Sequence, residues 1–280
     1  MTGRAEQITA PIAYHAEGPV WVDELHWVDM LAGDVLSLGP DGTVGRRHVG
    51  NVVAALRPRA SGGFVYAVER GFALDDGTGT PVRMLPELWA TDAKRMNEGG
   101  CDPDGRFYCG SMAYALTPGA ASLYRLDPDG RVTTVLDDLT ISNGLEWSPD
   151  GRLAYYVDTA TGRIDVMDYD GDRGLTNRRP FATVETGSPD GLTVDAEGGI
   201  WVALWGGSAV HRFAPDGALS EVIELPVTQV TACSFGGANL DELFITTSRQ
   251  GLPASAEPSA GALFHCQPGI AGLPVRRFAG

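Results

Sequence analysis

The sequence has little of what marks membrane-spanning or disulfide-stabilised proteins. No run of about 18 apolar residues occurs, and the N-terminal stretch MTGRAEQITAPIAYH lacks the continuous apolar segment of a secretory signal. The 280 residues include four cysteines, and none of them forms a C-x-x-C pair. A disulfide framework is therefore disfavoured. We expect a cytoplasmic protein with buried thiols, although Cys101 and Cys109 flank one turn and leave a disulfide between them open.

Positive charge is also scarce. The chain has 21 Lys and Arg against 36 Asp and Glu, which gives a formal net charge of −15. This balance disfavours nucleic acid and anionic membranes as partners, because both attract a positive protein surface. It is compatible with cation binding, although most acidic residues simply solvate a surface. We expect a monomer or a small homo-oligomer with no nucleic-acid or membrane partner.

Helical periodicity is the third thing missing. No window of about 11 residues combines the i, i+3, i+4, i+7 apolar pattern with freedom from helix breakers. The 37 glycines and 18 prolines fall between short apolar runs. The sequence therefore predicts an all-β protein.

What the sequence does have is an internal repeat. Three segments read NEGGCDPDGRFYCGSM, NGLEWSPDGRLAYYVDT and DGLTVDAEGGIWVALW. Each begins with a polar residue, Asn97, Asn143 or Asp190, that lies eight residues before the glycine of an Asp-Gly or Glu-Gly turn. Such a turn between apolar runs predicts a β-hairpin, because glycine tolerates the positive φ that the turn needs.

Weaker copies raise the number of units to six. They read EGPVWVDELHWVDM, RASGGFVYAVER and TACSFGGANLDELFITTS, and a second hairpin follows most of the units. The units are spaced by about 40–47 residues, a period typical of propeller blades. The sequence predicts a single domain over residues 1–280, an all-β six-bladed β-propeller of four-stranded blades. A β-sandwich is the alternative, and the regular period argues against it.

The repeat frame brings polar residues to one place. The innermost strand of each blade reaches the central channel, so Glu17, Asn97, Asn143 and Asp190 are predicted to converge on the axis. The same frame selects, in the sixth and second units, Thr231 and either Ala54 or Ala55. Two carboxylates and two amides buried together are costly without a partner, and a divalent cation would supply one. The alternative is that each is an ordinary turn residue before glycine.

Oxygen ligands of this kind suit Ca²⁺, Mg²⁺ or Mn²⁺ and also permit Zn²⁺ or Fe²⁺. The five histidines form no ligand-spaced pair, which argues against a histidine-based zinc site. We therefore expect one divalent cation of uncertain identity.

At these residues the chain resembles the regucalcin–gluconolactonase family of metal-dependent sugar lactonases. The resemblance extends from about Ala16 to Gly280. The motifs that carry it are EGPVW, RMNEGGCDPDGRFYCGSM, ISNGLEWSPDGRLAYYVDT, SPDGLTVDAEGGIWVA, ELPVTQVTACSFGG and LFITTSR. Several long motifs in the same order make this a specific signal. The resemblance also implies a six-bladed propeller, in agreement with the repeat count.

The resemblance assigns roles to individual residues. It implies that Glu17, Asn143 and Asp190 bind a single divalent ion on the axis. It also implies that Asn97 helps to hold the substrate or a water, and that Arg95 contacts sugar hydroxyls. Because Asp190 could touch both metal and water, we expect it to be the catalytic general base. The alternative for Arg95 is a surface charge beside Lys94.

One segment departs from the family. Members of the regucalcin type carry acidic residues just after a G-T-M motif, and these help to bind the sugar. Here the segment reads GSMAYALTPG, with Tyr114 and Ala115 at those places. The substrate is then expected to be less hydroxylated or differently oriented, with Tyr114 binding it through its hydroxyl or by stacking. The alternative is that 113–121 is a variable surface loop.

The resemblance implies a carboxylic ester hydrolase that opens a sugar lactone of carbohydrate metabolism. The cation would polarise the carbonyl, and Asp190 would assist attack by water. Two other functions stay open. One is a metal-dependent hydrolase of another ester or an organophosphate, and the other is a non-catalytic calcium-binding propeller.

Overall fold

Six β-sheets arranged around a central axis make up the computed structural model, which describes residues 2–253 and 255–280. The described residues contain no α-helix, and none of their helices is long and apolar enough to cross a membrane. Two 3₁₀ helices, η1 (Met30–Ala32) and η2 (Thr159–Thr161), are the helical elements present. The predicted six-bladed all-β propeller is therefore confirmed. The extent of the single domain stays a prediction.

The first three blades follow the N-terminal strands β1 (Thr2–Arg4) and β2 (Glu6–Gln7). Blade 1 contains β3 (Ala16–Val22), β4 (Glu24–Asp29), β5 (Asp34–Leu38) and β6 (Val44–His48). Blade 2 contains β7 (Val53–Pro58), β8 (Phe64–Val68), β9 (Gly71–Leu74) and β10 (Arg83–Met84). Blade 3 contains β11 (Lys94–Cys101), β12 (Phe107–Ala113), β13 (Ala121–Leu126) and β14 (Val132–Leu139).

The last three blades follow in chain order. Blade 4 contains β15 (Ser142–Trp147), β16 (Leu153–Asp158), β17 (Arg163–Asp170) and β18 (Gly174–Thr183). Blade 5 contains β19 (Ser188–Val194), β20 (Ile200–Trp205), β21 (Ala209–Phe213) and β22 (Leu219–Glu224), with β1 added as a fifth strand parallel to β22. Blade 6 contains β23 (Val230–Gly236), β24 (Glu242–Thr247), β25 (Phe264–Cys266) and the N-terminal β2.

The ring is closed by the two ends of the sequence. β2 pairs antiparallel with β25, so the N-terminal segment supplies the outermost strand of the last blade. The six innermost strands, β3, β7, β11, β15, β19 and β23, contact one another in sequence order, and β23 contacts β3. The ring leaves only short inner strand edges, and these face the central axis.

Large aromatic side chains fill the space between blades. Trp147 packs edge-on against Tyr108 of the preceding blade, with ring centroids 5.4 Å apart. Trp201 packs in the same way against Phe235 of the next blade, at 5.8 Å. Both tryptophans are fully buried. These contacts stabilise the interface between blades, because aromatic pairs bury large apolar areas.

The cysteines are all free thiols; Cys101, Cys109 and Cys233 are buried as expected, whereas Cys266 is only partly buried. Cys101 lies opposite Phe107 in the sheet and Cys109 lies opposite Gly99, so the two do not face each other. The disulfide that was left open between them is therefore absent.

Every innermost strand carries a β-bulge near its start. The register against the second strand shifts in all six blades: Glu17/Val20, Val53/Ala55, Met96/Gly99, Ser142/Leu145, Pro189/Leu192 and Val230/Ala232. A bulge leaves residues unpaired and re-aims their side chains. The repeated polar positions of the sequence lie at or beside these bulges.

Glycine makes the bulge of blade 3 possible. A Cβ on Gly99 would overlap the carbonyl oxygen of Tyr108 in the neighbouring strand. Such an overlap with rigid backbone can be relieved only by moving the strand that carries Arg95 and Asn97. Gly99 is therefore a packing requirement of the site.

We expect Gly99→Ala to lower the free energy of unfolding by about 3 kcal/mol, because overpacking against backbone cannot relax cheaply. Urea unfolding followed by tryptophan fluorescence measures the change. Gly50→Ala is the matched control, since a Cβ there would meet no atom within 4 Å. Equal stability of the two variants would show that the bulge tolerates a side chain.

Candidate functional site

The bulges bring the predicted residues into one buried region. Glu17, Asn97, Asn143 and Asp190 are each at most 5% exposed. They lie in the innermost strands β3, β11, β15 and β19, not in hairpin turns. The alternative that they are ordinary turn residues is therefore wrong. Thr231 occupies the position in blade 6, where its hydroxyl donates to the Ala16 carbonyl at 2.7 Å.

Two carboxylates at this site repel each other. Burial raises the pKa of Glu17 to about 7, although the Gly18 amide and Arg95 oppose the rise. Burial also raises the pKa of Asp190 well above its usual value, and the nearby Glu17 and Glu98 raise it further. Each shift reports an environment that disfavours negative charge. The described side chains therefore leave this negative charge undercompensated.

Asn143 presents a buried amide oxygen at the site. Its Nδ2 donates to the hydroxyl of Thr159 at 3.0 Å, which fixes the orientation of the amide. Its Oδ1 is buried and makes no hydrogen bond among the described residues. A buried acceptor without a partner costs about 1–3 kcal/mol, so it indicates a missing ligand or water.

Arg95 and Asn97 form a fixed pair beside these groups. Arg95 Nη1 donates to Asn97 Oδ1 at 2.6 Å, and Asn97 Nδ2 donates to the Ser142 carbonyl at 2.9 Å. Arg95 is 4% exposed and its Nη1 also contacts Met30 Sδ at 2.9 Å. The alternative that Arg95 is a surface charge is therefore wrong.

Two aspartates fix the segments that lead into the site. Asp29 accepts from the amides of Tyr14 and His15, and Asp158 accepts from the amides of Thr140 and Ile141. Both segments connect neighbouring blades and precede the strands that carry Glu17 and Asn143. Short helices η1 and η2 follow directly after the aspartates and supply Met30 and Thr159 to the site. The fold thus positions site residues by the same device in two blades.

His15 lies beside the site in a neutral form. Its Nδ1 is 2.8 Å from the Ser248 hydroxyl, and its ring packs edge-on against Trp205 at 5.9 Å. Burial and the nearby Arg95 lower the pKa of His15 to about 3. The imidazole is therefore uncharged at neutral pH.

Tyr114 lies at the exposed rim of the region. Its side chain is 45% exposed, and its ring centroid is 6.0 Å from the Arg95 guanidinium carbon. Its hydroxyl donates to Glu69 Oε1 at 3.1 Å. Ala115, next in the chain, is exposed. The structure thus brings Tyr114 to the Arg95–Asn97 pair but leaves it open to solvent.

Sequence reasoning missed Glu98. In a regular strand consecutive side chains point to opposite faces, so Asn97 and Glu98 would be separated. The bulge buries both, and Glu98 interacts electrostatically with Glu17 and Asp190. Its Oε2 has no hydrogen-bond partner among the described residues. Beyond it lies a cavity of about 40 Å³, room for a few waters, lined by charged groups that include Arg57, Glu98, Glu146 and Arg276.

The donor set fits one hard cation. Glu17, Asn143 and Asp190 could hold it with oxygen atoms, and the uncompensated carboxylates and the free amide oxygen are what such an ion would satisfy. Within residues 2–253 and 255–280 no group of three or more His, Cys, Asp or Glu is placed to hold a metal. The proposed ligand set agrees with this finding, because it contains only two such residues, Glu17 and Asp190, and its third member, Asn143, is an amide.

This arrangement is a six-bladed propeller with a buried, oxygen-rich site at its axis. The chain matches, over residues 15–249, the family described as SMP-30/Gluconolactonase/LRE-like region. The match covers more than half of the chain, and the chain therefore belongs to this family. The resemblance seen in the motifs is confirmed.

The chain is similar in sequence to two relatives that differ in their assigned names. Regucalcin of Danio rerio is 34% identical over 279 residues, which cover 94% of each chain. A Bacillus subtilis (strain 168) protein, provisionally named sugar lactone lactonase YvrE, is 33% identical over 279 residues, again 94% of each chain.

Solved structures agree with the fold. Regucalcin from Agrobacterium tumefaciens, described as a calcium-binding protein, has a TM-score of 0.92 at 27% identity and covers 100% of this chain and 99% of its own. XC5397 of Xanthomonas campestris, described as a gluconolactonase, has a TM-score of 0.75 at 26% identity and covers 93% and 88%.

Removing the charge of Glu17 should have opposite effects on the stability of the metal-free protein and on its stabilisation by cation. Unfolded glutamate titrates near 4.3, and the folded pKa is about 7, so the metal-free protein loses stability as pH rises between these values. We expect Glu17→Gln to stabilise the metal-free protein at pH 8 by about 1–3 kcal/mol, because it removes a buried charge. The same variant should lose stabilisation by added divalent cation. Thermal unfolding after chelation, with and without Ca²⁺ or Mn²⁺, measures both effects.

The matched control is Glu24→Gln at the start of β4, the neighbouring strand of blade 1, where the carboxylate is 41% exposed. It should leave both the metal-free stability and the response to cation unchanged. A Glu17→Gln protein that is less stable than the wild type without metal at pH 8 would contradict the electrostatic account.

Proposed function

We propose that this protein is a divalent-cation-dependent hydrolase that opens the ring of a sugar lactone of the aldono-lactone class. Membership of the gluconolactonase family makes it a lactonase. The cation, the ring and the residue roles are our proposal. The observation that supports it is the presence, in neighbouring parts of the innermost strands, of two buried carboxylates and an amide oxygen without a hydrogen bond among the described residues.

In this proposal Asp190 is the general base. It takes a proton from a water, and the water oxygen forms a bond to the lactone carbonyl carbon. The bond between this carbon and the ring oxygen then breaks, the ring oxygen receives a proton, and the product is a hydroxy acid. When bound, the cation supplies positive charge beside the carbonyl oxygen, where negative charge develops.

Asp190 must be ionised to accept a proton. Burial, Glu17 and Glu98 hold its pKa high, whereas the Asn143 amide and Arg95 lower it. A base whose pKa lies near the working pH combines ionised form with basicity. Asp190 is therefore surrounded both by groups that raise its pKa and by groups that lower it.

Arg95 and Asn97 bind and orient the substrate in this proposal. The hydrogen bond between them uses Nη1, and the planar guanidinium has further N–H groups that can donate to substrate oxygens. The Ser142 carbonyl and Arg95 hold the Asn97 amide from both ends. A substrate therefore meets donors that are already ordered, which lowers the entropy cost of binding.

The alternatives differ in what they require of Asp190. Hydrolysis of another ester or an organophosphate would use the same ligands and the same base. A calcium-binding propeller, as the Agrobacterium relative is described, would need Asp190 as a ligand only.

We infer that the protein is cytoplasmic and that its partner is the small-molecule lactone, without nucleic acid or membrane. We also infer that it is a monomer or a small homo-oligomer.

We expect Asp190→Asn to lower kcat for aldono-lactone hydrolysis by about 10²–10⁴-fold, because it keeps an oxygen for the cation but removes the base. A pH-stat assay of metal-stripped protein refilled with Ca²⁺, Mg²⁺, Mn²⁺ or Zn²⁺ measures the rate. Cation binding is measured separately by calorimetry, so that loss of the ion and loss of the base are distinguished. A variant that holds cation and hydrolyses at the wild-type rate would show Asp190 to be a ligand only.

Two further variants serve as a control and as a test of the separate role of Asn97. Asp172→Asn, on an exposed hairpin turn of blade 4, is the matched control and should keep full activity. Asn97→Ala should raise KM more than it lowers kcat, because it disturbs substrate or water placement without removing the base. If Asn97→Ala had the same kinetic profile as Asp190→Asn, the separate roles would be contradicted.

A further inference from the structure

We propose that Glu69 supplies the carboxylate that binds the substrate hydroxyls at the rim of the site, and that Tyr114 positions it. This inference rests on the proposed lactonase function. It addresses the segment in which Tyr114 and Ala115 stand where acidic residues were expected. The structure offers an acidic side chain there from a different blade.

The backbone of Glu69 is fixed beside the strand that carries the substrate-binding pair. Glu69 follows directly after β8 of blade 2. Its carbonyl accepts a hydrogen bond from the Met96 amide at 2.9 Å, and Met96 lies between Arg95 and Asn97 in β11. This bond joins blades 2 and 3 at the level of the site, so Glu69 cannot move away from Arg95 and Asn97 without breaking it.

The side chain of Glu69 is held at the rim by Tyr114. Tyr114 donates its hydroxyl to Glu69 Oε1 at 3.1 Å, and its ring lies 6.0 Å from the Arg95 guanidinium carbon. Its own amide donates to the Ala93 carbonyl at 3.0 Å, which anchors the start of the loop. Arg95, Tyr114 and Glu69 therefore form a continuous row from the buried site to solvent.

Glu69 keeps capacity to bind a ligand. It is partly exposed, and a carboxylate can accept about four hydrogen bonds, of which Tyr114 uses one. The neighbouring Arg70 pairs with Glu87 at 2.6 Å, so its charge is shared with another carboxylate. Glu69 offers an acceptor at the solvent end of this row and Arg95 offers donors at its buried end, with Tyr114 between them. A sugar matches such a pair, because its hydroxyls both donate and accept.

The row predicts which lactones are preferred. A lactone with several free hydroxyls can donate to Glu69 at one end and accept from Arg95 at the other, whereas a ring without hydroxyls can do neither. An anionic substituent at this place would be repelled by Glu69. The row thus favours uncharged, hydroxyl-bearing lactones. Of the two alternatives that the sequence left open, this agrees with a differently oriented substrate rather than a less hydroxylated one.

The test compares two substrates on the cation-loaded enzyme. Wild type, Glu69→Gln, Tyr114→Phe and the control Glu24→Gln are assayed with glucono-1,5-lactone, which bears hydroxyls, and with δ-valerolactone, which bears none. We expect Glu69→Gln to lower the ratio of the two kcat/KM values by about tenfold, since it replaces hydrogen bonds to a charged group by weaker bonds to a neutral amide. Tyr114→Phe should lower the same ratio by about threefold, mainly through KM, and Glu24→Gln should leave it unchanged.

Two outcomes would overturn the inference, and they are distinguishable. If wild type hydrolyses glucono-1,5-lactone and Glu69→Gln changes neither the ratio nor KM, or lowers both substrates equally, Glu69 does not bind the hydroxyls. If wild type hydrolyses neither lactone with any of the four cations, the proposed function fails and this inference fails with it. Circular dichroism and thermal unfolding of each variant separate loss of binding from loss of fold.

Discussion

The repulsion between Glu17 and Asp190 is the constraint on which the site depends. The propeller buries both carboxylates at its axis, and burial alone makes their charged forms costly. Hydrophobic packing between blades, such as that around Trp147 and Trp201, holds the strands in place against this repulsion. The same burial that destabilises the charges makes a bound cation effective, because electrostatic attraction is stronger where water is excluded.

Much of the fold could be predicted from the sequence, because turns and apolar runs repeat at a regular period. The blade count, the four-stranded units and the polar positions Glu17, Asn97, Asn143 and Asp190 follow from that repeat, and the structure brings them together. Asp29 and Asp158 occupy equivalent places in blades 1 and 4 and accept equivalent backbone hydrogen bonds. A repeat reports the same physical requirement several times, which is why local patterns sufficed here.

What the sequence could not predict depends on register and on distant contacts. Strand alternation predicts that Glu98 points to the face opposite Asn97. Only the bulge after Met96 buries it beside Asn97. Glu69 and Tyr114 are 45 residues apart and belong to no shared motif, so their hydrogen bond emerges only when blades 2 and 3 pack. The fifth strand of blade 5, formed by β1, likewise has no signal in the repeat.

The central claim is that one divalent cation is held on the axis by Glu17, Asn143 and Asp190. The most direct measurement is an anomalous difference map from crystals of the protein loaded with Mn²⁺. The account predicts a single strong peak within about 2.0–2.4 Å of oxygens from all three side chains, including the Asn143 Oδ1 that makes no hydrogen bond within the described part of the chain. A peak elsewhere on the molecule, or an axial site without one, would contradict the account.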